Sequence, residues 1–121
     1  MLALVIACHG SRKHDANMEV LQLAKHVEQI TAERFEVVRA GFLEFAEPSI
    51  AEAIDNCVQL GATSITVVPY FLVFGNHVQR DIPHLVNVCA QKHQHVSFRL
   101  TPHLGASADM PGLVIQAAEG Q

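Results

Sequence analysis

The apolar run from Leu2 to Cys8 constrains the fold of this chain more than any other feature, because no polar side chain interrupts it. A strand with one face in water alternates apolar and polar residues, whereas a strand covered on both faces is continuously apolar. Such strands belong to parallel sheets with helices packed on either side. The run therefore predicts a buried strand and not a secretory signal, since no Lys or Arg precedes it.

Helical and strand-like patterns alternate along the rest of the chain. Apolar residues at helical spacing form three stripes: Val20, Leu23, Ala24 and Val27; Ile50, Ala53, Ile54, Cys57 and Val58; and Ile82, Leu85, Val86 and Cys89. A short last helix is predicted over residues 109–118, and further strands over residues 35–42, 64–69 and 95–101. The strand over residues 35–42 is the less apolar one, which places it at an edge of the sheet.

Local signals indicate where the helices begin and end. Pro48 suits the first turn of the second helix, and Gly61 suits the turn that ends it. Asp81 is expected to cap the third helix, whose first turn accommodates Pro83.

Strands that alternate with helices imply a parallel sheet with right-handed crossover connections. We therefore predict a three-layer α/β/α sandwich of flavodoxin-like or chelatase-like type, built on a four-stranded parallel sheet with the simple strand order 2-1-3-4. The chain has 121 residues, of which 50% are hydrophobic. That is enough apolar material for one domain over residues 1–121.

Composition excludes several classes of function. The net charge of −4 and the pI of about 6.0 argue against nucleic acid or a membrane surface as a partner. No apolar run approaches the ~20 residues of a membrane span. The three cysteines are widely separated, so no disulfide framework is expected and a reduced cytoplasmic compartment fits best. No Gly-x-x-x-x-Gly-Lys segment is present, so no nucleotide is expected as a cofactor.

Metal-capable side chains follow the predicted strands at the point where each strand ends. His9 follows the first, Glu44 and Glu47 the second, His77 the third and His103 the fourth. Ligands of open α/β sheets bind beyond the carboxyl ends of the strands, so these residues are expected at one edge. Two imidazoles and a carboxylate suit a divalent first-row metal and leave room for an exchangeable ligand. His9, His77 and Glu44 are the favoured members of such a metal site, and Glu47 and His103 are weaker candidates.

Several neighbouring side chains have two interpretations. Arg12 and Arg80 flank the histidine loops, either as ordinary surface charge or as clamps for substrate carboxylates. His93 and His95 are interpreted as surface residues at a helix end, where positive charge suits the helix dipole. Glu47 has a competing role as a negative charge just before a helix.

The histidine loops also contain candidate substrate contacts. The turn after the first histidine permits close approach of a ligand, because glycine has no side chain. Aromatic residues near the same edge serve either as apolar walls or as core: Phe42, Phe45, Tyr70, Phe71 and Phe74. We expect the following residues to contact the substrate: Ser11, Arg12, Phe71, Gly75 and Arg80.

Three segments of the chain resemble the small sirohydrochlorin chelatases of the CbiX type, which belong to the class II chelatases. They are His9-Gly10-Ser11-Arg12, Phe42-Leu43-Glu44-Phe45-Ala46-Glu47-Pro48-Ser49-Ile50, and Val68-Pro69-Tyr70-Phe71-Leu72 running on through Gly75, His77 and Asp81-Ile82-Pro83. The Leu104-Gly105 turn also fits, although His103 stands where the family usually has an apolar residue. The resemblance implies that His9 and His77 bind metal and accept protons, with Glu44 as the accompanying carboxylate.

The resemblance also implies an activity. It predicts a lyase that inserts a divalent metal into sirohydrochlorin in cobalamin or siroheme biosynthesis. Cobalt is the first expected metal, with iron and nickel as alternatives, and the metal is a substrate. Sirohydrochlorin is a large, flat polycarboxylate, so a cleft shared by the two subunits of a homodimer is expected.

The residues alone, without the resemblance, raise other classes of protein as alternatives. A non-catalytic metal-storage or delivery protein would bind cobalt, nickel or iron through the same side chains. A histidine phosphatase needs an arginine directly before the first histidine, and Cys8 occupies that position. A flavodoxin-like cofactor module needs a longer phosphate loop after the first strand, and a receiver domain needs an acidic cluster there. Neither feature is present in the sequence.

Overall fold

β1 (Leu2–Cys8) is the buried strand that its apolar sequence predicts. The computed structural model describes residues 1–31 and 33–120. The elements that follow β1 are α1 (His14–Ile30), β2 (Val37–Phe42), α2 (Ile50–Gln59), β3 (Ser64–Pro69), a π-helical turn (His77–Asp81), α3 (Ile82–Lys92), β4 (Ser97–Leu100), a 3-10 turn (Leu104–Ala106) and α4 (Met110–Ala118). None of the helices in these ranges combines the length and apolarity needed to cross a bilayer.

The strands form a parallel sheet in the order β2-β1-β3-β4. The predicted strand order and the edge position of β2 are confirmed. Cys8 pairs with Phe42 of β2, and Ala7 pairs with Pro69 of β3. Because these three strands end almost level, the loops after β1, β2 and β3 emerge side by side. We name this side of the sheet the carboxyl edge.

Two strands are shorter than predicted. β2 begins at Val37 and β4 at Ser97. The N–H of Phe35 donates to the Thr31 carbonyl, and the N–H of Val96 donates to the His93 carbonyl. These residues therefore belong to turns that precede the strands.

Two apolar layers cover the sheet, as the helical stripes predict. On one face α2 and α3 bury Ile54 and Ile82 in a cluster with Ile65, and all three are inaccessible to water. On the other face α1 contributes Ala24 to a cluster that contains Ile6. Each large aliphatic side chain buried in this way contributes about 1.5–3 kcal/mol.

The start of α2 differs from the prediction. The helix begins at Ile50, and Pro48 lies outside it, before the N-cap Ser49. The Ser49 hydroxyl accepts a hydrogen bond from the Glu52 N–H at 3.1 Å, and the Glu52 carboxylate accepts one from the Ser49 N–H at 2.8 Å. The placement of Pro48 in the first turn is therefore wrong. The Ser-x-x-Glu pattern of this capping box is the signal that identifies the true start.

The start of α3 also differs from the prediction. The π-helical turn precedes it, and in that turn the Ile82 N–H donates to the His77 carbonyl. Asp81 makes no capping hydrogen bond, so its predicted role as a helix cap is wrong, although Pro83 does lie in the first turn. Gly61 follows α2 with a φ of +104°, which confirms the glycine predicted to end that helix.

α4 lies on the outside of the fold. Its apolar residues Leu113, Val114 and Ile115 are 51%, 62% and 59% exposed. No residue of α4 is buried within the described part of the chain. Contiguous apolar residues left in water indicate an interaction surface.

Candidate active site

His9 lies at the carboxyl edge, directly after the central strand β1. Its Nε2 lies 3.0 Å from Oε2 of Glu44, which follows β2. Its Nδ1 lies 2.9 Å from the carbonyl oxygen of Gly10. Both partners are oxygens that accept hydrogen bonds. These two contacts hold the ring between the turn after β1 and the carboxylate that follows β2.

His77 reaches the same edge from the loop after β3. The ring centroids of His9 and His77 lie 4.7 Å apart, with the ring planes inclined by 51°. Nδ1 of His77 lies 2.7 Å from Oδ2 of Asp81. For its Nε2, the residues that the structure describes supply no hydrogen-bond partner. The two imidazoles are thus adjacent, with Glu44 beside the first of them.

Two close backbone approaches hold the loops of the site in place. Gly10 has a φ of +94°, and a Cβ there would lie 1.8 Å from the Glu44 carbonyl oxygen. The Glu44 N–H donates to the His9 carbonyl at 2.9 Å, which ties the loop after β2 to the end of β1. A Cβ at Gly105 would likewise lie 1.8 Å from the carbonyl oxygen of Leu72. The loop that carries the second histidine is therefore packed against the 3-10 turn.

An aromatic ring and an arginine border the histidines. Phe45 adopts a left-handed backbone conformation with a φ of +67°, which costs a non-glycine residue about 1–2 kcal/mol. Its ring meets the ring of His9 edge to face, with 6.1 Å between the centroids. The guanidinium carbon of Arg12 lies 4.9 Å from the centroid of the same ring. Both side chains are exposed, so an apolar surface and a positive charge stand beside the site.

The site is open to solvent. The side chains of His9, Glu44 and His77 are all partly exposed. Among residues 1–31 and 33–120, no three His, Cys, Asp or Glu side chains surround a point where a metal ion would be held. His9 faces Glu44 while His77 faces Asp81, so the predicted ligands are neighbours that do not yet converge. This arrangement is therefore incomplete, in contrast to the closed four-ligand set of a structural metal site.

Cys8 precedes His9, and its thiol belongs to the core. Its Sγ lies 3.7 Å from the Ile6 carbonyl oxygen, and desolvation by burial raises the pKa of Cys8 to about 12. The thiol is therefore protonated at neutral pH. Cys8 is thus a buried, free thiol at the end of β1.

The predicted substrate contacts fall into two groups. Ser11 is bonded within the chain, because its N–H donates to Oδ1 of Asn17 at 2.9 Å and its carbonyl accepts from Nδ2 of Asn17 at 2.7 Å. Phe71 packs against the core. The remaining three are exposed: Arg12, Gly75 and Arg80. Asn17 is a buried polar residue that was not predicted from the sequence. A polar residue on the inner face of α1 is the sequence feature that could have identified it.

His93 differs from its interpretation as a surface residue. Its Nε2 lies 2.8 Å from Oδ1 of Asp55, and Nζ of Lys92 lies 3.1 Å from the other oxygen of that carboxylate. Burial raises the pKa of Asp55, but the hydrogen bonds from His93 and Lys92 outweigh this effect, so the pKa lies below its ordinary value. His93 therefore joins α2 to the end of α3, and the surface interpretation is wrong. His95 is exposed, as predicted.

Two weaker candidates from the sequence occupy other positions. The ring of His103 packs against Phe74, with 5.6 Å between the centroids. Glu47 is exposed in the loop before the N-cap of α2. Within residues 1–31 and 33–120, neither His103 nor Glu47 forms a ring contact or an ion pair with the histidine pair.

Comparison of the sequence shows which known proteins this chain is similar to. The CbiX family profile matches residues 3–120. The chain is 35% identical over 102 residues to the chloroplastic sirohydrochlorin ferrochelatase of Arabidopsis thaliana, covering 84% of this chain and 44% of that protein. It is 39% identical over 88 residues to the sirohydrochlorin cobaltochelatase of Methanopyrus kandleri, covering 73% of this chain and 60% of that protein. This chain thus spans about half the length of these relatives.

Two solved structures superpose on the structure of this chain. The sirohydrochlorin chelatase SirB from Bacillus subtilis subspecies spizizenii, solved in complex with cobalt, superposes with a TM-score of 0.87 at 26% identity. The superposition covers 98% of this chain but 50% of SirB. A CbiX protein from Marinobacter aquaeolei VT8 superposes with a TM-score of 0.80 at 22% identity, over 99% of this chain and 96% of that one. At that identity the second comparison supports the fold alone.

Proposed function

This chain belongs to the CbiX family, and from that membership we propose that it inserts a divalent metal, Co²⁺ in the first instance, into sirohydrochlorin. The observation that carries the proposal is the adjacency of His9 and His77 at the carboxyl edge, with Glu44 against the first imidazole. Relatives named sirohydrochlorin cobaltochelatase and sirohydrochlorin ferrochelatase support the substrate and the reaction. Fe²⁺ and Ni²⁺ are the alternative metals.

Metal insertion exchanges a metal ion for pyrrole protons, so the site has to deliver one and accept the others. Imidazole can do both near neutral pH. A metal ion that enters between His9 and Glu44, whose Nε2 and Oε2 lie 3.0 Å apart, would meet a nitrogen donor and an oxygen donor together. The Glu44 carboxylate then offsets the charge of the metal, and His77 is close enough to share either the ion or a substrate proton.

The border of the site suits a flat substrate with carboxylate groups. The exposed ring of Phe45 offers an apolar surface for a macrocycle. The guanidinium of Arg12, held over that ring, can bind a substrate carboxylate through paired hydrogen bonds. Because the Phe45 ring also contacts the His9 ring, a substrate that binds to these two residues would lie next to the histidine pair.

Spectral titration of the purified protein tests the proposed function. Sirohydrochlorin is mixed with Co²⁺, Fe²⁺ or Ni²⁺ under anaerobic conditions, and the absorbance change on metallation is followed with and without protein. We expect catalysed insertion, fastest with Co²⁺. A rate equal to that of the protein-free reaction for every metal, despite measurable Co²⁺ binding, would favour the metal-delivery alternative and contradict the proposal.

We also propose that the partner of the site is a second copy of this chain. The loop at the carboxyl edge leaves Leu72, Val73 and Phe74 at least 61% exposed, and α4 adds a second apolar surface. SirB is about twice as long as the part that this chain matches, so its remaining half provides room for what a second subunit would supply here. A shared cleft would cover a macrocycle that one open edge leaves in water.

Changing two apolar residues of α4 tests this dimer. We expect the unaltered protein to have twice the chain mass of 13.2 kDa in light scattering after size exclusion, because burial of the α4 surface stabilises association. The double variant Val114→Glu and Ile115→Glu is expected to have the mass of one chain. The matched control Gln116→Glu adds a charge to the same helix without removing an apolar side chain, and it should stay dimeric. A single-chain mass for the unaltered protein would contradict the proposal.

The reducing cytoplasm is the compartment that we propose for this activity. Cys8, Cys57 and Cys89 are free and buried, which supports a compartment where thiols stay reduced.

A further inference from the structure

Asp81 holds His77 through a short hydrogen bond. Nδ1 of His77 and Oδ2 of Asp81 lie 2.7 Å apart. Side chains four residues apart on a helical turn are neighbours, and the π-helical turn His77–Asp81 brings these two into contact. Turns of this kind are rare in proteins and occur frequently at functional sites.

The carboxylate of Asp81 does not serve the helix that it precedes. It makes no capping hydrogen bond, although it occupies the N-cap position of α3. The turn is instead closed by the Ile82 N–H, which donates to the His77 carbonyl. The side chain of Asp81 is 52% exposed, so water would solvate it well without a partner. Its contact with the histidine therefore needs an explanation other than helix capping.

We propose that Asp81 is a positioning residue that selects the tautomer of His77. A carboxylate can only accept, so the hydrogen of the neutral ring is held on Nδ1 and the lone pair is left on Nε2. A lone pair at that nitrogen is what a metal ion or a proton binds. Carboxylates that accept from the second nitrogen of a metal-binding histidine also fix the orientation of the ring. The role in catalysis rests on the proposed function, whereas the tautomer does not.

A purely structural role for the pair predicts different results. Exposed pairs four residues apart stabilise a helix only slightly. Loss of such a pair would shift the unfolding transition a little and leave metal binding unchanged. The pair formed by His93 and Asp55, with 2.8 Å between nitrogen and oxygen, offers a matched comparison, because it joins α2 to the far end of α3.

Three variants test the proposal: Asp81→Ala, Asp81→Asn and the control Asp55→Asn. Affinity for Co²⁺ alone is measured by calorimetry, and histidine tautomers are assigned by long-range ¹H–¹⁵N correlation spectra of the metal-free protein. We expect Asp81→Ala to weaken Co²⁺ binding about 10- to 100-fold and to mix the tautomers of His77, with a similar unfolding midpoint. Asp81→Asn keeps an oxygen that accepts, so it should recover part of the affinity. Asp55→Asn should alter the signals of His93 and leave Co²⁺ affinity unchanged.

Two outcomes would overturn the proposal. One is a His77 ring whose hydrogen resides on Nε2 in the unaltered protein, and the other is unchanged Co²⁺ affinity in Asp81→Ala. If Asp81→Ala does not fold, the proposal is tested by Asp81→Asn, which keeps the size of the side chain, and by the tautomer spectrum of the unaltered protein. Absence of insertion into sirohydrochlorin, with the tautomer and Co²⁺ results as expected, would refute the proposed function and leave the role of Asp81 in binding intact.

Discussion

Replacing His77 with alanine is expected to lower the rate of cobalt insertion into sirohydrochlorin at least about 100-fold, the lower range for removing a group that transfers protons. The side chain is partly exposed and contacts His9 and Asp81. Its removal therefore takes away a nitrogen donor without opening a cavity in the core. We expect the free energy of unfolding to change by less than about 1 kcal/mol, as for most exposed positions. Initial rates of metallation and a urea titration measure the two quantities.

His95→Ala is the matched control for this prediction. His95 is exposed and lies before β4, at the side of the sheet opposite the carboxyl edge. The control loses the same imidazole from the surface and is expected to keep the full insertion rate. Metallation by His77→Ala at the rate of the unaltered protein would remove His77 from the proposed mechanism.

Replacing Gly10 with alanine is expected to damage both the site and the fold. The added Cβ would lie 1.8 Å from the carbonyl oxygen of Glu44, and the backbone has a φ of +94°. Because that oxygen belongs to backbone, the loop after β2 has to move. The movement separates Glu44 from His9, and a displacement of about 1 Å can cost 100-fold in rate. We expect a comparable loss of insertion and a loss of at least about 2 kcal/mol of stability.

Gly61→Ala separates the two causes of that damage. Gly61 has a similar φ of +104°, but a Cβ there would meet nothing within 4 Å. Its replacement therefore measures backbone strain alone, about 1–2 kcal/mol, and should leave insertion unchanged. Equal stability of the two variants would show that the contact between Gly10 and the Glu44 loop is unimportant.

The sheet could be predicted from the sequence because its signals are local. The continuously apolar β1 and the apolar stripes of the first three helices are patterns within one element, and burial on both faces explains each of them. Element boundaries were harder to predict, since they depend on competing hydrogen bonds. Pro48 resembles a helix start until the capping box of Ser49 and Glu52 is considered.

The position of the site could be predicted, but its internal contacts could not. Parallel strands bring His9, Glu44 and His77 to one edge whatever the details of the loops. The contact between His77 and Asp81 depends on a π-helical turn, for which the sequence contains no simple pattern. The bond between His93 and Asp55 joins residues 38 positions apart, so no local signal indicates it.

The burial of the Cys8 thiol beside His9 bears on the choice of metal in the proposed function. Thiolate sulfur binds Cu⁺ and Zn²⁺ strongly, so an accessible thiolate at the carboxyl edge would retain both ions. Cys8 is buried, which raises its pKa to about 12 and withholds its sulfur from the edge, and the side chains described beside it there are nitrogen and oxygen donors. A chelatase of the kind proposed, which has to release its metal in every cycle, would thereby lack the sulfur ligand that retains soft metals most strongly.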